Sequence, residues 1–450
     1  MDRPNVLLLL CDQLRYDCVG KAGIRPVRTP CMDALAEEGL FFENAYTPLP
    51  VCAPARQAML TGVQPDSIGA LFNYNFIQTN GADPAKPTWV SALRDAGYHC
   101  GFAGHWDASP LGNERDFGYE SLFDGAAYNR EIEEKYGRID YPGSWFGCTS
   151  PLAHEDTKTH RICQSALDYI QKCGDEPWHV WVDMTDPHLP CRPSEPFASM
   201  YRPEDMELWP GFGDTLENKP YIQKKQLENW HLTGFTWDDF APTVARYYAM
   251  ITQTDAAIAK IIDHLRETGQ LDNTLVILTA DHGDTCGDHG MMDKHYILYD
   301  CVLHVPFIVR YPALGHARIN AFACNCLDIA PTVEDVCALP RTDALRDGRS
   351  VRAYTDGSET PDYAVFTSNG QQFGLFTQRG IRTERYKYIW NLTDVDELYN
   401  LEVDPGEKHN LAGDARYDAV KKELGGVMFA ELQRRRDPFA NGWVGWQVGK

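Results

Sequence analysis

The chain has 450 residues, long enough for one large α/β core and a smaller unit. Its 42 Lys and Arg against 64 Asp and Glu give a formal charge of −22 with no basic stripe, which excludes nucleic acid as a partner and disfavours long polyanions. A small anionic substrate, held by a few local cations and a metal, is easier to reconcile with that charge.

From the N-terminus, Met1-Asp2-Arg3-Pro4-Asn5 runs directly into the apolar stretch Val6 to Cys11. That stretch is too short to span a membrane and lacks the shape of a secretory leader, so it reads as a strand and no membrane partner is expected. Fourteen cysteines without an export signal read as reduced thiols in a cytoplasmic protein. On that reading the sequon Asn391-Leu392-Thr393 carries no meaning. The next strand, His99–Ala103, follows a helix that Pro87 opens and Gly97 closes. His179–Met184 follows an amphipathic stretch carrying Ile162, Ala166, Leu167 and Ile170. Leu275–Thr279 follows a long helical stretch, Thr243–Thr268, ended by Gly269, and Val305–Val309 is a further apolar run. Short, continuously apolar strands alternating with helices predict a parallel or mixed sheet covered on both faces.

The pattern changes after about residue 345. Tyr363–Thr367, Phe373–Thr377 and Tyr386–Trp390 are β-rich and separated by turn residues such as Asn369-Gly370, which predicts a small antiparallel sheet. A helix over Tyr417–Arg436 packs against it. The expected division is a catalytic α/β domain over 1–345 and a C-terminal subdomain over 346–450.

Polar residues follow each strand: Asp12-Gln13 the first, His105 and Asp107 the second, His188 the third, Asp281-His282 the fourth. In open α/β sheets ligands bind beyond the carboxyl ends of the strands, so four segments converge on one edge. One such residue alone is an ordinary strand end reaching solvent. Cys52-Ala53-Pro54-Ala55-Arg56, running into Leu60-Thr61-Gly62, adds a thiol, a proline and an arginine at fixed offsets ahead of a short helical segment.

This stretch resembles the maturation signature of the type I, formylglycine-dependent sulfatases of the alkaline phosphatase superfamily. Pro4-Asn5-Val6 through Asp12-Gln13-Leu14-Arg15 is similar to that family's opening segment. Thr279-Ala280-Asp281-His282-Gly283-Asp284, then Gly287-Asp288-His289-Gly290, Lys294 and Val305-Pro306, resemble its second metal segment. Arg382 to Tyr388, Glu397 to Leu401 and Asp404-Pro405-Gly406-Glu407 resemble its tail. The resemblance spans nearly the whole chain and is weakest in the middle third.

It implies an α/β fold: an alkaline-phosphatase-like α/β/α sandwich with a mixed, mostly parallel sheet, plus a smaller C-terminal antiparallel-sheet subdomain. It implies that Cys52 is oxidised to formylglycine, by a formylglycine-generating or an anaerobic maturation enzyme, and that its hydrate attacks sulfur. Asp12, Gln13, Asp281, His282 and an oxygen from modified Cys52 then hold one divalent metal. Two carboxylates and an amide favour Ca2+ or Mg2+, and the imidazole leaves Mn2+ or Zn2+ open. Asp281 to Asp284 alone also reads as a plain strand-to-helix turn. A second metal set would use His282, His289 and His295; the oxygen-rich set is preferred because it closes with Cys52. By the same resemblance Arg56 holds the hydrate, against the alternative of a surface arginine in a first helical turn. Lys294 binds a sulfate oxygen, and His188 contacts sulfate or protonates the leaving alcohol, where the bland readings are a solvated loop lysine and a core histidine.

The chain departs from the family at Gly104-His105-Trp106-Asp107, where most sulfatases carry Gly-Lys-x-His. His105 stands for the lysine and donates to sulfate when protonated; Asp107 stands for the histidine and takes the proton that ejects sulfate. The expected activity is hydrolysis of a small sugar or aryl sulfate monoester. The alternative is a phosphonate monoester or phosphodiester hydrolase of the same superfamily, and a third reading is a catalytically silent binding protein. Trp106, Trp145, Trp209, Trp230 and Trp237 are candidates for stacking on sugars, with core packing as the competing role. Phe72-Asn73-Tyr74-Asn75 and the stretch from Pro190 to Gly234 are expected to line the pocket.

Overall fold

Strand β1 (Asn5–Asp12) has no polar residue between its ends, and all eight of its residues are buried. Successive side chains leave a strand on opposite faces, so one apolar run feeds two cores. Leu7, Leu9 and Cys11 enter one cluster, while Val6, Leu8 and Leu10 enter the other. This computed structural model describes residues 3–73, 80–294, 297–341, 347–358, 360–370, 376–443 and 445.

The first sheet adds β2 (Leu40–Ala45), β3 (His99–Gly104), β4 (Glu120–Ser121), β5 (Trp178–Pro187), β6 (Thr274–Ala280), β7 (Phe307–Arg310) and β8 (Ala317–Ala323). Its order is β4-β3-β5-β1-β6-β7-β2-β8. Only β7 runs antiparallel to its neighbours, so the sheet is mixed and mostly parallel. The helices Lys158–Cys173 and Trp237–Glu267 cover one face, the former through Ile162, Ala166, Leu167 and Ile170. Helices Cys52–Thr61, Trp89–Asp95 and Asn325–Val336 cover the other. The α/β/α sandwich expected from the sequence is the architecture found.

Three strands of this sheet were not foreseen, the two-residue β4 and the longer β2 and β8. β2 carries Glu43 and Asn44, and β8 alternates exposed and buried residues at the sheet edge, so neither is a pure apolar run. The predicted run Val305–Val309 becomes a strand only from Phe307, because Val305 instead donates its N–H to Ala45.

The second sheet contains β9 (Tyr363–Gly370), β10 (Phe376–Thr383), β11 (Tyr386–Asn391) and β12 (Glu397–Asn400), all antiparallel, in the order β12-β11-β10-β9. The expected middle strand at Phe373–Thr377 falls largely outside the described residues, and β10 continues to Thr383. Leu424, Met428 and Leu432 of the helix Asp418–Arg434 pack on Val365, Ile381, Tyr388 and Leu398. The sheet docks on the first layer through charge as well as contact: buried Lys387 meets Asp300 at 2.5 Å and Glu407 at 2.7 Å. Asn391 of the sequon is buried, its amide donating to the Val395 carbonyl at 2.9 Å. Among the described residues, no helix is long and apolar enough to cross a membrane.

Candidate active site

The carboxyl ends of β1, β3, β5 and β6 deliver their polar residues to one edge of the sheet, where the helix Cys52–Thr61 begins. Pro54 sits in the first turn of that helix, where backbone N–H groups have no intrahelical acceptor, so it removes no bond. Gly62 closes the helix in the left-handed region, φ 70°. Cys52 occupies the first helical position and is buried. β3 and β5 approach so closely here that a Cβ on Gly104 (φ 138°) would lie 1.9 Å from the Asp183 carbonyl oxygen.

Ligand atoms of Asp12, Cys52, Asp281 and His282 all lie within 4.8 Å of one another, and all four residues are buried. Nε2 of His282 lies 3.2 Å from Cys52 Sγ and 3.7 Å from Asp12 Oδ1. Its Nδ1 lies 2.9 Å from the Gly283 carbonyl oxygen, which fixes the proton on Nδ1 and turns the Nε2 lone pair into the group. Asp12 Oδ1 is buried with no hydrogen-bond partner. Three carboxylates, Asp12, Asp183 and Asp281, meet one guanidinium here. An orphan carboxylate oxygen in a buried site of excess negative charge, beside an imidazole lone pair, fits a divalent cation.

Arg56 is fully buried, which rules out the surface reading of that residue. Its Nε and Nη2 grip both oxygens of Asp183 at 3.0 and 3.1 Å, Nη1 reaches Asp281 at 2.6 Å, and Nη2 also reaches Asp12 at 3.0 Å. These donors orient the carboxylates, not Cys52. Burial pushes the Asp183 carboxyl up to about 7 against the pull of Arg56, whereas Arg56 overcomes burial at Asp12 and holds it well below the usual range. Asp183 escaped the sequence reading because it lies inside the run His179–Met184. Its signal was there: it is the one carboxylate in the buried stretch 178–184 of β5, whose other polar residue is His179.

Gln13 lies beside the group with a left-handed backbone, φ 69°. Four bonds hold it there. Its N–H donates to Asp281 (3.1 Å), Nε2 donates to Asp284 (2.7 Å), Oε1 accepts from Lys294 (3.3 Å) and its carbonyl accepts from Tyr247 (2.7 Å). Lys294 Nζ also lies 2.8 Å from His188 Nε2, and His188 Nδ1 lies 2.6 Å from the Leu189 carbonyl oxygen. Burial and Lys294 push the His188 ring down, but Asp12 and the Cys52 side chain outweigh them and raise it to about 9, so it carries a proton to give at neutral pH. Burial alone would lower the Lys294 pKa, but Asp293, at 3.3 Å, and Asp12 hold it above the usual lysine value. Burial also raises the Cys52 thiol, so the unmodified side chain is a thiol, not a thiolate, at neutral pH.

A cavity of about 990 Å³ stands over this group, with Asp12, Cys52, His105, Asp107, His188 and Lys294 among its lining residues. His105 is exposed on the cavity wall, and Asp107 is buried. Desolvation and the Arg56 cation lower the His105 pKa while Asp107 opposes them. Phe72 and Asn73 line the cavity as expected; Tyr74 and Asn75 lie outside the described residues. Of the tryptophans, Trp145 and Trp230 reach it. Trp209 is buried under Arg15, Trp106 packs on Phe102 and Phe117, and Trp237 packs on Phe212. Ser368 and Asn369, at the end of β9, bring the second sheet into the cavity wall. Of the alternative histidine set, His289 bonds Asp214 at 2.8 Å and stacks on Tyr299, and His295 lies outside the described residues.

A parallel-sheet sandwich with a helix-borne cysteine and a buried carboxylate–imidazole cluster at its carboxyl edge defines a hydrolase of the alkaline-phosphatase-like class. The Sulfatase family model matches residues 4–337, and the model described as N-sulphoglucosamine sulphohydrolase, C-terminal, matches 287–434. The chain belongs to the sulfatase family and is a sulfuric ester hydrolase. It is 30% identical over 457 residues to the uncharacterized sulfatase YidJ of Escherichia coli (strain K12), covering 98% of this chain and 89% of that one. It is 27% identical to an arylsulfatase of Clostridium perfringens, covering 98% and 96%. Its fold is also that of a phosphonate monoester hydrolase from Silicibacter pomeroyi (TM-score 0.83, 23% identity, 97% and 96% covered).

Proposed function

We propose that the enzyme hydrolyses a small sulfate monoester of a sugar or aryl alcohol, using formylglycine made from Cys52 by a maturation enzyme. The observation that carries this is the position of Cys52: first residue of a buried helix, 3.2 Å from His282 within a four-ligand cluster, on the floor of the cavity. Its raised pKa makes it a poor nucleophile as a thiol, which supports a modified side chain. The hydrated aldehyde supplies the hydroxyl that attacks sulfur. Asp12, Asp281, His282 and the Gln13 amide oxygen would hold the divalent ion, Ca2+ ahead of Mg2+ or Mn2+, which neutralises charge and lowers the pKa of that hydroxyl.

The chain's own residues do the rest. Arg56 fixes Asp12 and Asp281 in ligand orientation. Lys294 binds a sulfate oxygen, and its charge stabilises the transition state. His188 delivers a proton to the departing alcohol oxygen as the S–O bond breaks. The attacking hydroxyl's proton would restore His188, Asp107 would take the second hydroxyl proton as the bond from carbon to the sulfate oxygen breaks, and water adding across the carbonyl would regenerate the hydrate. The sum is ester plus water giving alcohol plus hydrogen sulfate.

A second reading, phosphonate monoester or phosphodiester hydrolysis, is favoured by one observation: His105 and Asp107 stand where most sulfatases carry lysine and histidine. Mass spectrometry of the peptide spanning Cys52, from protein made with the maturation enzyme, is the test; persistent cysteine would sink the mechanism. Aryl sulfate, sugar sulfate, aryl phosphonate and phosphodiester then separate the two activities. Silence on all four, with metal and formylglycine present, would indicate a binding protein.

A further inference from the structure

Above the nucleophile, the cavity wall carries two cations that form no ion pair among the described residues. Arg192 donates no side-chain hydrogen bond there; its Nε is buried without a partner, and its guanidinium lies 4.2 Å above the centre of the Tyr141 ring. Lys158 makes no ion pair and stands at the first position of the 16-residue helix Lys158–Cys173, with no acidic residue in the first turn. A lysine at a helix N-terminus opposes the helix dipole, and a guanidinium with buried, unused donors carries a desolvation cost. Thr157, the residue before that helix, faces the same cavity and makes no capping bond with its side chain. Asp186 shares the wall and lies within the field of Lys158, but forms no ion pair with either cation among the described residues. In a chain of charge −22, two cavity-facing cations without an ion pair among the described residues fit an anion that arrives from outside.

Resting on the sulfate-ester reading above, we infer that Arg192, Lys158 and the N-terminus of the Lys158–Cys173 helix form a second anion subsite, so that the alcohol half of the substrate itself carries a carboxylate or a second sulfate. The preferred substrates are therefore dianionic: a sulfated uronic acid, a disulfated sugar or a carboxylated aryl sulfate. Arg192 reads the planar oxyanion with its fork while Tyr141 holds the back of the guanidinium.

Calorimetry on Ca2+-loaded protein with Cys52→Ala measures binding without turnover. Phenyl sulfate and a hexose monosulfate are compared with carboxyphenyl sulfate, a hexuronate monosulfate and a hexose disulfate; the last two distinguish carboxylate from sulfate. A dianionic ester is expected to bind about 10-fold or more tighter than its monoanionic counterpart, a margin that shrinks with added salt. Arg192→Gln, and separately Lys158→Gln, should narrow that ratio to about two-fold, with Arg192→Lys recovering part of it. Equal affinities for the two classes, or variants that weaken both classes alike, overturn the subsite. Tight, charge-selective binding of esters from which the mature enzyme releases no sulfate would overturn the sulfatase reading and leave the subsite standing.

Discussion

On the cavity floor Arg56 directs four hydrogen bonds to three carboxylates, and every partner stands on or directly beyond a strand of the first sheet. On the outer wall Arg192 and Lys158 have no ionic partner among the described residues, and Trp145 is more than half exposed. The floor is a closed network whose members fix one another; the wall is left open for a ligand to complete. Bond-breaking geometry is thus held by the sheet, and recognition of the alcohol by side chains without an ion pair among the described residues.

The comparison breaks most sharply at Arg56. Arg56→Met leaves Asp12, Asp183 and Asp281 buried together without a cation, at a cost of about 3–5 kcal/mol. Urea denaturation reads this as a lowered midpoint, and Arg56→Lys should restore little because the fork is lost. Metal removal comes next. Chelation should lower Tm by the equivalent of about 3 kcal/mol at saturating ion, with Ca2+ restoring it better than Mg2+; a Tm indifferent to both would deny the metal site. Asp107→Asn should slow steady-state turnover about 100-fold while leaving the single-turnover burst, because it acts on sulfate release. A steady-state rate equal to the parent's would remove that role.

A smaller effect concerns acid. Burial lowers His179 and His304 from 6.5 to about 4, so the unfolded chain takes up these protons first. Their contribution to stability is complete above 6.5 and is lost as pH falls towards 4. Denaturation at pH 5 and 7.5 should show the decline, and His179→Gln should flatten it. The smallest change is expected on the outer wall, where Trp145→Ala should move stability by less than about 0.5 kcal/mol and raise KM a few-fold.

Much of this was legible in the sequence because Asp12 and the pair Asp281-His282 end or follow uninterrupted apolar runs, and a strand end is easy to place. Asp183 was not, since it interrupts nothing: β5 extends past it to Pro187, with a register shift against β1 at Asp12. β2 and β8 mix polar and apolar residues, so their periodicity is weak. The orientation of Arg56 towards carboxylates, and the isolation of Arg192 and Lys158, depend on which segments meet in space. Such pairings, which for Arg56 reach across 44 to 225 positions, leave no local trace.

The burial of Cys52 also constrains when it can be altered. β1 pairs with β5 and β6, so the shelf on which the Cys52–Thr61 helix rests is incomplete until β6 ends at Ala280. Roughly 230 residues of synthesis separate Cys52 from that point, about 10–50 s at ribosomal rates. The oxidation proposed above would meet this thiol in its open form during that interval, before the sheet beneath the helix is complete.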